Sequence, residues 1–550
     1  KAIDIKPDFA DAHSNLGVIL KELGKLYEAE ISTRKAIELK PNFADAYCNL
    51  GALFNDLDRI EEAKLSFEKA IRLNPSSADF TCNLGHILRK QGKLKECLSL
   101  FQDGLICNPN NAKIKADLLS TASRLSELNI VDKYSLDISN LGVKKGACDP
   151  MRLLHLEDNP QAHLNRAINF YNREFKGVGK KISYRKKAMI HIGYFSADFN
   201  LHPVMHLISR IIELHNNFKF KIFLYSFGME DNYTKSIKDK VFCFRDIRKY
   251  SDLKATEIAR NDSLDIAIDL MGYTKNNRMK IFSHRVAPIQ INFLGFPSTT
   301  GSNEIDYLIG DKILIPEENK KFFTEKILYM PRCYMPFNDQ IKISNKSFNR
   351  SDFNLPVNAI VLAAFHKNYK ITLKEIESWS RILNRITNSV LWISDMAKTP
   401  KTNLLKYFSN YGINAERIIF ATRMNTTEEH LSRHICADIF LDTFNYNAHS
   451  TAIDSLWAEL PVVTMMGRSF SARVGGSLLK AIGLEELITE NTKQYEEVII
   501  DLGNNPEKLK MIKRKIKLEK KSNLLFDSFE FTKNLEKIYL NLIKIEEEKK

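Results

Sequence analysis

Apolar and small residues recur at a fixed spacing over the first 120 positions of the chain. Segments that open with Lys-Ala-Ile begin at residues 1, 35 and 69, and a degenerate fourth begins at Asp103. Each unit has a proline at the same place, and small residues recur where two helices must cross closely: Ala29, Ala63 and Cys97. A period of about 34 residues with this helix–turn–helix character predicts tetratricopeptide repeats over residues 1–120.

Three asparagines also recur with this period, each at the start of an Asn-Leu-Gly triplet: Asn15, Asn49 and Asn83. They lie on the first helix of each unit, which lines the concave groove of a stacked array. An amide side chain can donate to and accept from a peptide backbone. We therefore predict that these residues bind peptide substrates, and hydrogen bonding between neighbouring repeats is an equally favoured alternative.

A different pattern begins near residue 186, where apolar runs of strand length alternate with helical stretches. These runs are residues 188–195, 220–225, 266–270, 360–365, 390–393, 418–420, 439–441 and 462–465. Such alternation predicts parallel sheets covered by helices. We interpret residues 121–185 as a helical connector, 186–345 as an N-terminal catalytic lobe, and 346–550 as a C-terminal catalytic lobe with a nucleotide site. The irregular segment 312–350 is predicted to cross between the lobes.

Ligands of open α/β sheets bind beyond the carboxyl ends of the strands, so the loops there are the candidate sites. His202 follows the first predicted strand, where a general base could lie. Lys370 follows the strand at 360–365 and suits a phosphate. Residues 441–454 run from a strand through a small-residue turn into a helix, whose free N–H groups suit a diphosphate. Asp454, on the first turn of that helix, suits ribose hydroxyls.

Composition narrows the class of protein. The net charge is +14, but Lys and Arg are spread along the whole chain, so we expect no nucleic-acid partner. The eight cysteines are scattered, which predicts neither a disulfide framework nor a zinc site and favours a reducing, cytoplasmic location. No apolar run is long enough to span a membrane. The chain opens with Lys inside a repeat, so we expect the natural N-terminus to lie further upstream.

The motifs, taken in order, resemble the protein O-linked N-acetylglucosamine transferases and their Spindly-type relatives. The resemblance covers nearly the whole chain: the repeats, then GYFSADFNLHPVMHL (193–207), GYTKNNRMKIFSHRVAPIQINFLGFPSTTG (272–301), NSVLWI (388–393), RIIF (417–420), EEHLSRHICADIFLDT (428–443), NAHSTAIDSLWAELPVVTM (447–465) and SARVGGSLL (471–479). It implies an α-solenoid followed by an α/β region of GT-B type with two Rossmann-like lobes. It also implies inverting, metal-independent transfer from UDP-N-acetylglucosamine to serine or threonine, without a cofactor. Self-association through the repeats is compatible with this architecture.

Individual roles follow from the resemblance. His202 is similar to the active-site histidine of the His-Pro loop, a candidate base, and Lys370 is similar to the lysine that neutralises the donor diphosphate. The other implied donor contacts are His430 and Arg433 at the uracil, Asp454 at the ribose, His449, Ser450 and Thr451 at the sugar and phosphates, and Leu294, Gly295 and Pro297 beside the sugar.

The sequence departs from the family pattern at several places. Lys367 replaces an expected glutamine and Thr427 an expected lysine, which leaves open a repeat scaffold with an inactive transferase region. Asp265 stands where a histidine is expected and is a second candidate base, with a water-relayed proton as a third. Asp265 and Asp269 are more Spindly-like, and the alternative donor they imply is GDP-fucose. The segment 448–451 favours UDP-N-acetylglucosamine.

Overall fold

The structure is a computed structural model that describes residues 1–144, 146–175, 179 and 181–549. It opens with a run of helices. These are α1 (Ala2–Ile5), α2 (Ala10–Glu22), α3 (Leu26–Leu39), α4 (Ala44–Asp56), α5 (Ile60–Leu73), α6 (Ala78–Lys90), α7 (Leu94–Cys107), α8 (Ala112–Leu125), α9 (Leu128–Lys133) and α10 (Pro160–Glu174). Helices α2 to α7 pack as three consecutive pairs, which confirms the predicted repeat array.

Close crossings hold each pair together. Ala29, Ala63 and Cys97 are fully buried, as the repeat pattern predicts. A Cβ at Gly85 would lie 2.3 Å from Cζ of Phe101, so the glycine of the Asn-Leu-Gly triplet lets the second helix of its unit approach. The sequence period therefore encodes the helix-to-helix distance as well as the helices themselves.

A sheet of seven parallel strands follows the connector, in the order β3-β2-β1-β4-β5-β6-β7. Its strands are β1 (Ile190–Ser196), β2 (Phe220–Ser226), β3 (Cys243–Asp246), β4 (Ile266–Asp269), β5 (Ile289–Asn292), β6 (Tyr307–Gly310) and β7 (Lys326–Tyr329). The helices between them are α11 (Pro203–Leu214), α12 (Asn232–Lys238), α13 (Asp252–Asn261) and α14 (Met279–Ser283). Buried strands of a parallel sheet are apolar on both faces, as β1 and β2 largely are.

A second parallel sheet has six strands in the order β10-β9-β8-β11-β12-β13. Its strands are β8 (Ile360–Ala364), β9 (Ser389–Ser394), β10 (Ile418–Ala421), β11 (Ile439–Leu441), β12 (Val462–Met465) and β13 (Ile488–Thr489). The remaining helices are α15 (Leu373–Arg385), α16 (Lys398–Asn410), α17 (Thr427–Ser432), α18 (Ser450–Trp457), α19 (Val474–Ala481), α20 (Thr492–Asn504), α21 (Pro506–Ser522) and α22 (Ser528–Glu548). Two parallel-sheet lobes after a helical repeat region are the predicted fold class.

The last helix joins the two lobes. Helix α22 follows the second sheet in sequence but packs against α11 beside the first. The hydroxyls of Tyr194 and Tyr539 lie 3.2 Å apart there, and Nδ1 of His215 lies 3.1 Å from the Glu536 carboxylate. The end of the segment that we assigned to the C-terminal lobe is thus part of the packing of the N-terminal one.

All eight predicted strands are present, and their ends differ by at most two residues from the prediction. Five strands were not predicted: β3, β5, β6, β7 and β13, of which β7 lies in the segment 312–350 that we expected to be irregular. Each has four residues or fewer. The predicted strands β4, β10, β11 and β12 are equally short but lie in apolar runs, whereas polar residues interrupt β3 and β5, and β13 has only two residues. Within the described part of the chain, no helix has the length and apolar character needed to cross a membrane.

Candidate functional site

The strand order of each sheet reverses at one point, between β1 and β4 in the first sheet and between β8 and β11 in the second. Loops that leave such neighbouring strands diverge to opposite faces, and a crevice opens between them. His202 follows β1, Lys370 follows β8, and the segment 442–449 follows β11. The fold therefore places the main predicted site residues at two crevices.

Lys370 ends a short 3-10 turn, Asn368–Lys370, at the second crevice. Its Nζ donates to the carbonyl oxygen of Asn447 at 2.8 Å and lies 3.8 Å from the ring centroid of Tyr446. Burial lowers the pKa of Lys370 to about 7, although the neighbouring Asp442 carboxylate raises it. A phosphate bound here would favour the charged amine, because an opposite charge favours protonation.

Asp442 organises the loop that leads from β11 to α18. Its carboxylate accepts the N–H groups of Ala448 at 2.6 Å and Thr443 at 2.9 Å, and the hydroxyl of Thr464 at 2.7 Å. These bonds fix the turn in which Asn447 offers its carbonyl to Lys370. Sequence reasoning missed Asp442, although an acidic residue at the carboxyl end of a strand was the available signal.

The start of α18 carries three of the predicted donor contacts. His449 occupies the N-cap position, and Ser450 and Thr451 are the first helical residues. Nε2 of His449 is buried and has no hydrogen-bond partner among the described residues. Burial, followed by the charge of Lys370, holds the pKa of His449 well below its usual value, so the ring is neutral. A neutral ring with an unsatisfied nitrogen, beside free helix N–H groups, can bind a polar anionic ligand.

Asp454 lies on α18, one turn after Ser450, and is half-buried. Burial raises the pKa of its carboxyl group to about 7. No described residue forms a hydrogen bond or an ion pair with it, so this carboxyl group is available to hydroxyls of a ligand.

His430 and Arg433 lie close to this crevice but differ in exposure. His430 is half-buried, with its ring centroid 5.8 Å from that of Phe365. Arg433 is only 4 % exposed: it stacks 4.5 Å from the Phe365 centroid and donates from Nη1 to the carbonyl of Thr422 at 2.6 Å. Contact of both residues with a nucleobase stays a prediction, and Arg433 in addition fastens the loop after β10.

His202 lies at the crevice of the first sheet, at the N-cap of α11. Its Nδ1 accepts the N–H of Val204 at 3.3 Å and lies 3.3 Å from a carboxylate oxygen of Asp198. Burial raises the pKa of Asp198 to about 6 and lowers that of His202. Nδ1 is thus occupied, and Nε2 is the nitrogen left for a ligand.

One electrostatic interaction and one contact link the two crevices. The charge of Lys367, beside Lys370, is close enough to lower the pKa of His202 further. Nε2 of His206 lies 3.4 Å from the hydroxyl of Thr427 across the cleft. Sequence reasoning missed His206, although its spacing of four residues from His202 places both on one face of α11.

The loop after β5 contributes to the same edge of the first sheet. Leu294 has a positive φ of 74° and Gly295 follows it, where a Cβ would lie 2.0 Å from the carbonyl oxygen of Leu270. Pro297 is buried. The loop is therefore packed tightly beside the end of β4, and its contact with a sugar stays a prediction.

Asp265 does not lie with the other candidate residues. It precedes β4, at the amino edge of the sheet, whereas His202 follows β1 at the carboxyl edge. Its carboxylate pairs with Lys187 at 2.9 Å and accepts the N–H of His191 at 2.8 Å. A four-residue strand, on the order of 13 Å, separates it from the crevice. This placement leaves Asp265 a role in strand alignment and speaks against its role as the base.

The three repeat asparagines differ in their surroundings. Nδ2 of Asn49 donates to the hydroxyl of Ser14 at 3.0 Å, and Nδ2 of Asn83 lies 3.3 Å from Sγ of Cys48, so both contact the preceding repeat. Asn15 is exposed. Asn49 and Asn83 thus each form an inter-repeat contact through Nδ2, as the alternative predicts. Peptide binding by the three residues stays a prediction.

No group of three or more His, Cys, Asp or Glu side chains within the described residues is arranged to hold a metal ion. Metal independence remains a prediction.

The comparisons with known proteins agree with this arrangement. A model described as glycosyl transferase family 41 matches residues 167–345 and 337–535, and tetratricopeptide models match residues 10–43, 44–77 and 66–99. The chain is 33% identical over 361 residues to a probable UDP-N-acetylglucosamine–peptide N-acetylglucosaminyltransferase SEC of Arabidopsis thaliana, covering 64% of this chain and 37% of that protein.

Two further relatives extend the comparison. A protein of Petunia hybrida with the same probable activity and the name SPINDLY is 30% identical over 362 residues, with 64% of this chain and 38% of that protein covered. A UDP-N-acetylglucosamine–peptide N-acetylglucosaminyltransferase of Caenorhabditis elegans is 25% identical over 470 residues, with 65% and 41% covered. The chain thus spans about two fifths of the length of these relatives.

A solved structure resembles nearly the whole chain. It is a mutant of the O-GlcNAc transferase of Thermobaculum terrenum, with a TM-score of 0.70, 22% identity and coverage of 96% of both chains. At this identity the likeness shows the fold, from the repeats through both sheets.

Proposed function

Because this chain belongs to glycosyl transferase family 41, we propose that it is a protein O-glycosyltransferase that takes N-acetylglucosamine from UDP-N-acetylglucosamine. The acceptors are serine and threonine hydroxyls of proteins held by the tetratricopeptide groove. The observation that supports this most directly is the second crevice, where Lys370 lies beside the start of α18 and the unsatisfied Nε2 of His449.

The donor diphosphate binds between Lys370 and the first N–H groups of α18, and Asp454 accepts hydrogen bonds from the ribose. The acceptor hydroxyl attacks C1 of the sugar on the face opposite the diphosphate. The new C1–O bond forms as the bond from C1 to the phosphate oxygen breaks, so the anomeric configuration inverts. The charge that develops on the leaving diphosphate is stabilised by the amine and the helix start, and we expect this to suffice without a metal ion.

The proton of the acceptor hydroxyl passes to His202 in this proposal. Above a pH of about 6 the Asp198 carboxylate is ionised and favours a proton on Nδ1 of His202, which then donates to Asp198 and no longer accepts the N–H of Val204. Nε2 then carries the lone pair that accepts the proton. The eight free cysteines support a reducing compartment, and we propose that the enzyme acts in the cytoplasm.

The test uses the purified chain, calorimetric titration with UDP, and transfer of labelled sugar from UDP-N-acetylglucosamine to lysate proteins with and without EDTA. We expect UDP binding and EDTA-resistant transfer, both of which Lys370→Met weakens. Lys374→Met is the matched control, because Lys374 is exposed on α15 only four residues away. If the unsubstituted chain neither bound UDP nor transferred sugar, the proposal would be disproved and the inactive repeat scaffold would be favoured.

The second candidate is transfer of fucose from GDP-fucose. It rests on the Spindly-like residue Asp269 at the carboxyl end of β4, since Asp265 lies at the other edge of the sheet, and the similarity to the SPINDLY protein of Petunia hybrida leaves it open. Thermal unfolding in the presence of UDP or GDP separates the two donors. A larger rise of Tm with GDP than with UDP would replace the first proposal by the second.

A further inference from the structure

Helix α8, which follows the last complete repeat, ends against the loop that carries Lys370. The last carbonyl groups of a helix have no partner within the helix. Two amides of the second lobe satisfy two of them: Nδ2 of Asn368 donates to the carbonyl of Arg124 at 2.7 Å, and Nδ2 of Asn403 donates to the carbonyl of Leu125 at 2.9 Å. The end of α8, where the repeats pass into the connector, is thus bonded to the second lobe.

Side-chain packing strengthens one of these two attachments. The guanidinium of Arg124 lies 5.1 Å from the ring centroid of Tyr369, between Asn368 and Lys370 in sequence. The buried ring of His155 packs edge-on against Tyr369 with a centroid distance of 5.3 Å. Nε2 of His155 lies 3.0 Å from the hydroxyl of Ser123 on α8.

The loop from β11 to α18, the second loop at the donor site, is attached to the same group of residues. Nδ2 of Asn445 donates to the carbonyl of His155 at 3.2 Å. Asn445 belongs to the turn whose Asn447 carbonyl accepts from Lys370. We call this set the repeat–lobe junction; it consists of Ser123, Arg124, His155, Asn368, Tyr369 and Asn445.

We propose that Asn368 and Tyr369 are positioning residues through which the end of α8 and His155 of the connector set the place of Lys370 at the donor diphosphate. The inference rests on the proposed function, since it needs a diphosphate at Lys370. Both loops of the second crevice are held by the end of α8 and by His155 of the connector, so the donor site is completed by these segments and is not a property of the second lobe alone.

The test compares Asn368→Ala with Asn403→Ala in the full chain. Each variant removes one amide that caps α8, but Asn403 lies on α16, away from the donor loops. We expect Asn368→Ala to raise the Kd for UDP about tenfold and to leave the Kd for uridine within twofold, because only the phosphate contact is displaced. Both variants should lower Tm to a similar degree, because each removes one cap of α8. Asn403→Ala should leave the Kd for UDP and the Kd for uridine unchanged.

If Asn368→Ala fails to fold, a second pair of variants at Tyr369 tests the same proposal. Tyr369→Phe keeps the ring between Arg124 and His155 and should bind UDP normally, whereas Tyr369→Leu should weaken UDP binding and spare uridine. Equal effects of Asn368→Ala and Asn403→Ala on UDP, or none in Asn368→Ala and Tyr369→Leu, would overturn the positioning role. Absence of UDP binding in the unsubstituted chain would instead count against the proposed function.

Discussion

The seven-stranded and six-stranded sheets share a parallel order that reverses once, and both open a crevice at that point. The first crevice carries His202 and Asp198, a ring and a carboxyl group that can exchange a proton. The second carries Lys370 and the start of α18, which offer positive charge and free N–H groups. Two lobes of one architecture thus differ in the charge that they can stabilise.

The difference lies in the loops and not in the strands. In the second sheet Asp442 folds the loop after β11 back on itself and directs a carbonyl to Lys370. In the first sheet His202 caps α11 directly, so its ring stays at the cleft. We infer a division of labour, in which the first lobe handles the acceptor proton and the second holds the leaving group.

The largest expected effect comes from His202→Asn. An asparagine oxygen can still accept the N–H of Val204 at the helix start, so α11 should keep its cap. The base is lost, and we expect kcat to fall by about 10²–10⁴-fold. The Kd for UDP should stay within twofold. A variant with full transfer activity would show that the proton leaves by another route.

Lys370→Met removes the cation of the second crevice. We expect kcat/KM to fall by about 10²–10³-fold, in line with the loss of one group that stabilises developing charge. The Kd for UDP should rise while that for uridine does not, as measured by calorimetry. If both ligands lost affinity equally, the lysine would be supporting the fold and not the phosphate.

The pH dependence of UDP binding tests the charge of the second crevice in the unsubstituted chain. The pKa of Lys370 is lowered to about 7 by burial, so the empty site loses its positive charge as the pH rises above that value. Binding of a diphosphate requires the proton back, and the Kd for UDP should rise by close to tenfold per pH unit between about 7 and 9. Uridine, measured in parallel, should show no such rise, and neither should UDP with Lys370→Met.

The smallest effect tests whether the second lobe tunes the first. Burial lowers the pKa of His202, and the charge of Lys367 lowers it further. Lys367→Gln should therefore raise that pKa and move the acid limb of kcat/KM to higher pH by about 0.2–0.5 units, an energy of a few tenths of a kcal/mol. Lys374→Gln is the control of equal charge. If the acid limb of kcat/KM did not move, the charge of Lys367 would have no effect on the pKa of His202.

Much of the architecture was predictable, because it depends on local periodicity. The repeats are confirmed, and so are the eight strands that lie in apolar runs. Strands such as β3 and β5 escaped prediction because polar residues interrupt the apolar pattern on which the prediction depends. The return of α22 to the first lobe depends on pairs such as His215 with Glu536, which are more than 300 residues apart in sequence.

The candidate site was predictable only where motif and strand end coincide. Lys370 and His449 follow strands of a parallel sheet, and the strand order brings them to one crevice. Asp265 shows the limit of this reasoning. It adjoins a predicted strand as His202 does, but it precedes β4 whereas His202 follows β1, so the two residues lie at opposite edges of the sheet. Asp442 and His206 act through contacts that only the packed loops create.

The sequence by itself thus determined the repeat period, the alternation of strands and helices, and the identity of the residues at strand ends. Tertiary structure decided which strand ends are neighbours, which edge of a sheet each residue occupies, and that α8 of the repeat region is bonded to the Lys370 loop. The physical reason is the range of the interactions. Helix and strand periodicity is local, whereas the sheet order pairs residues such as Ile192 with Ile266, and the capping of α8 joins residues more than 200 positions apart.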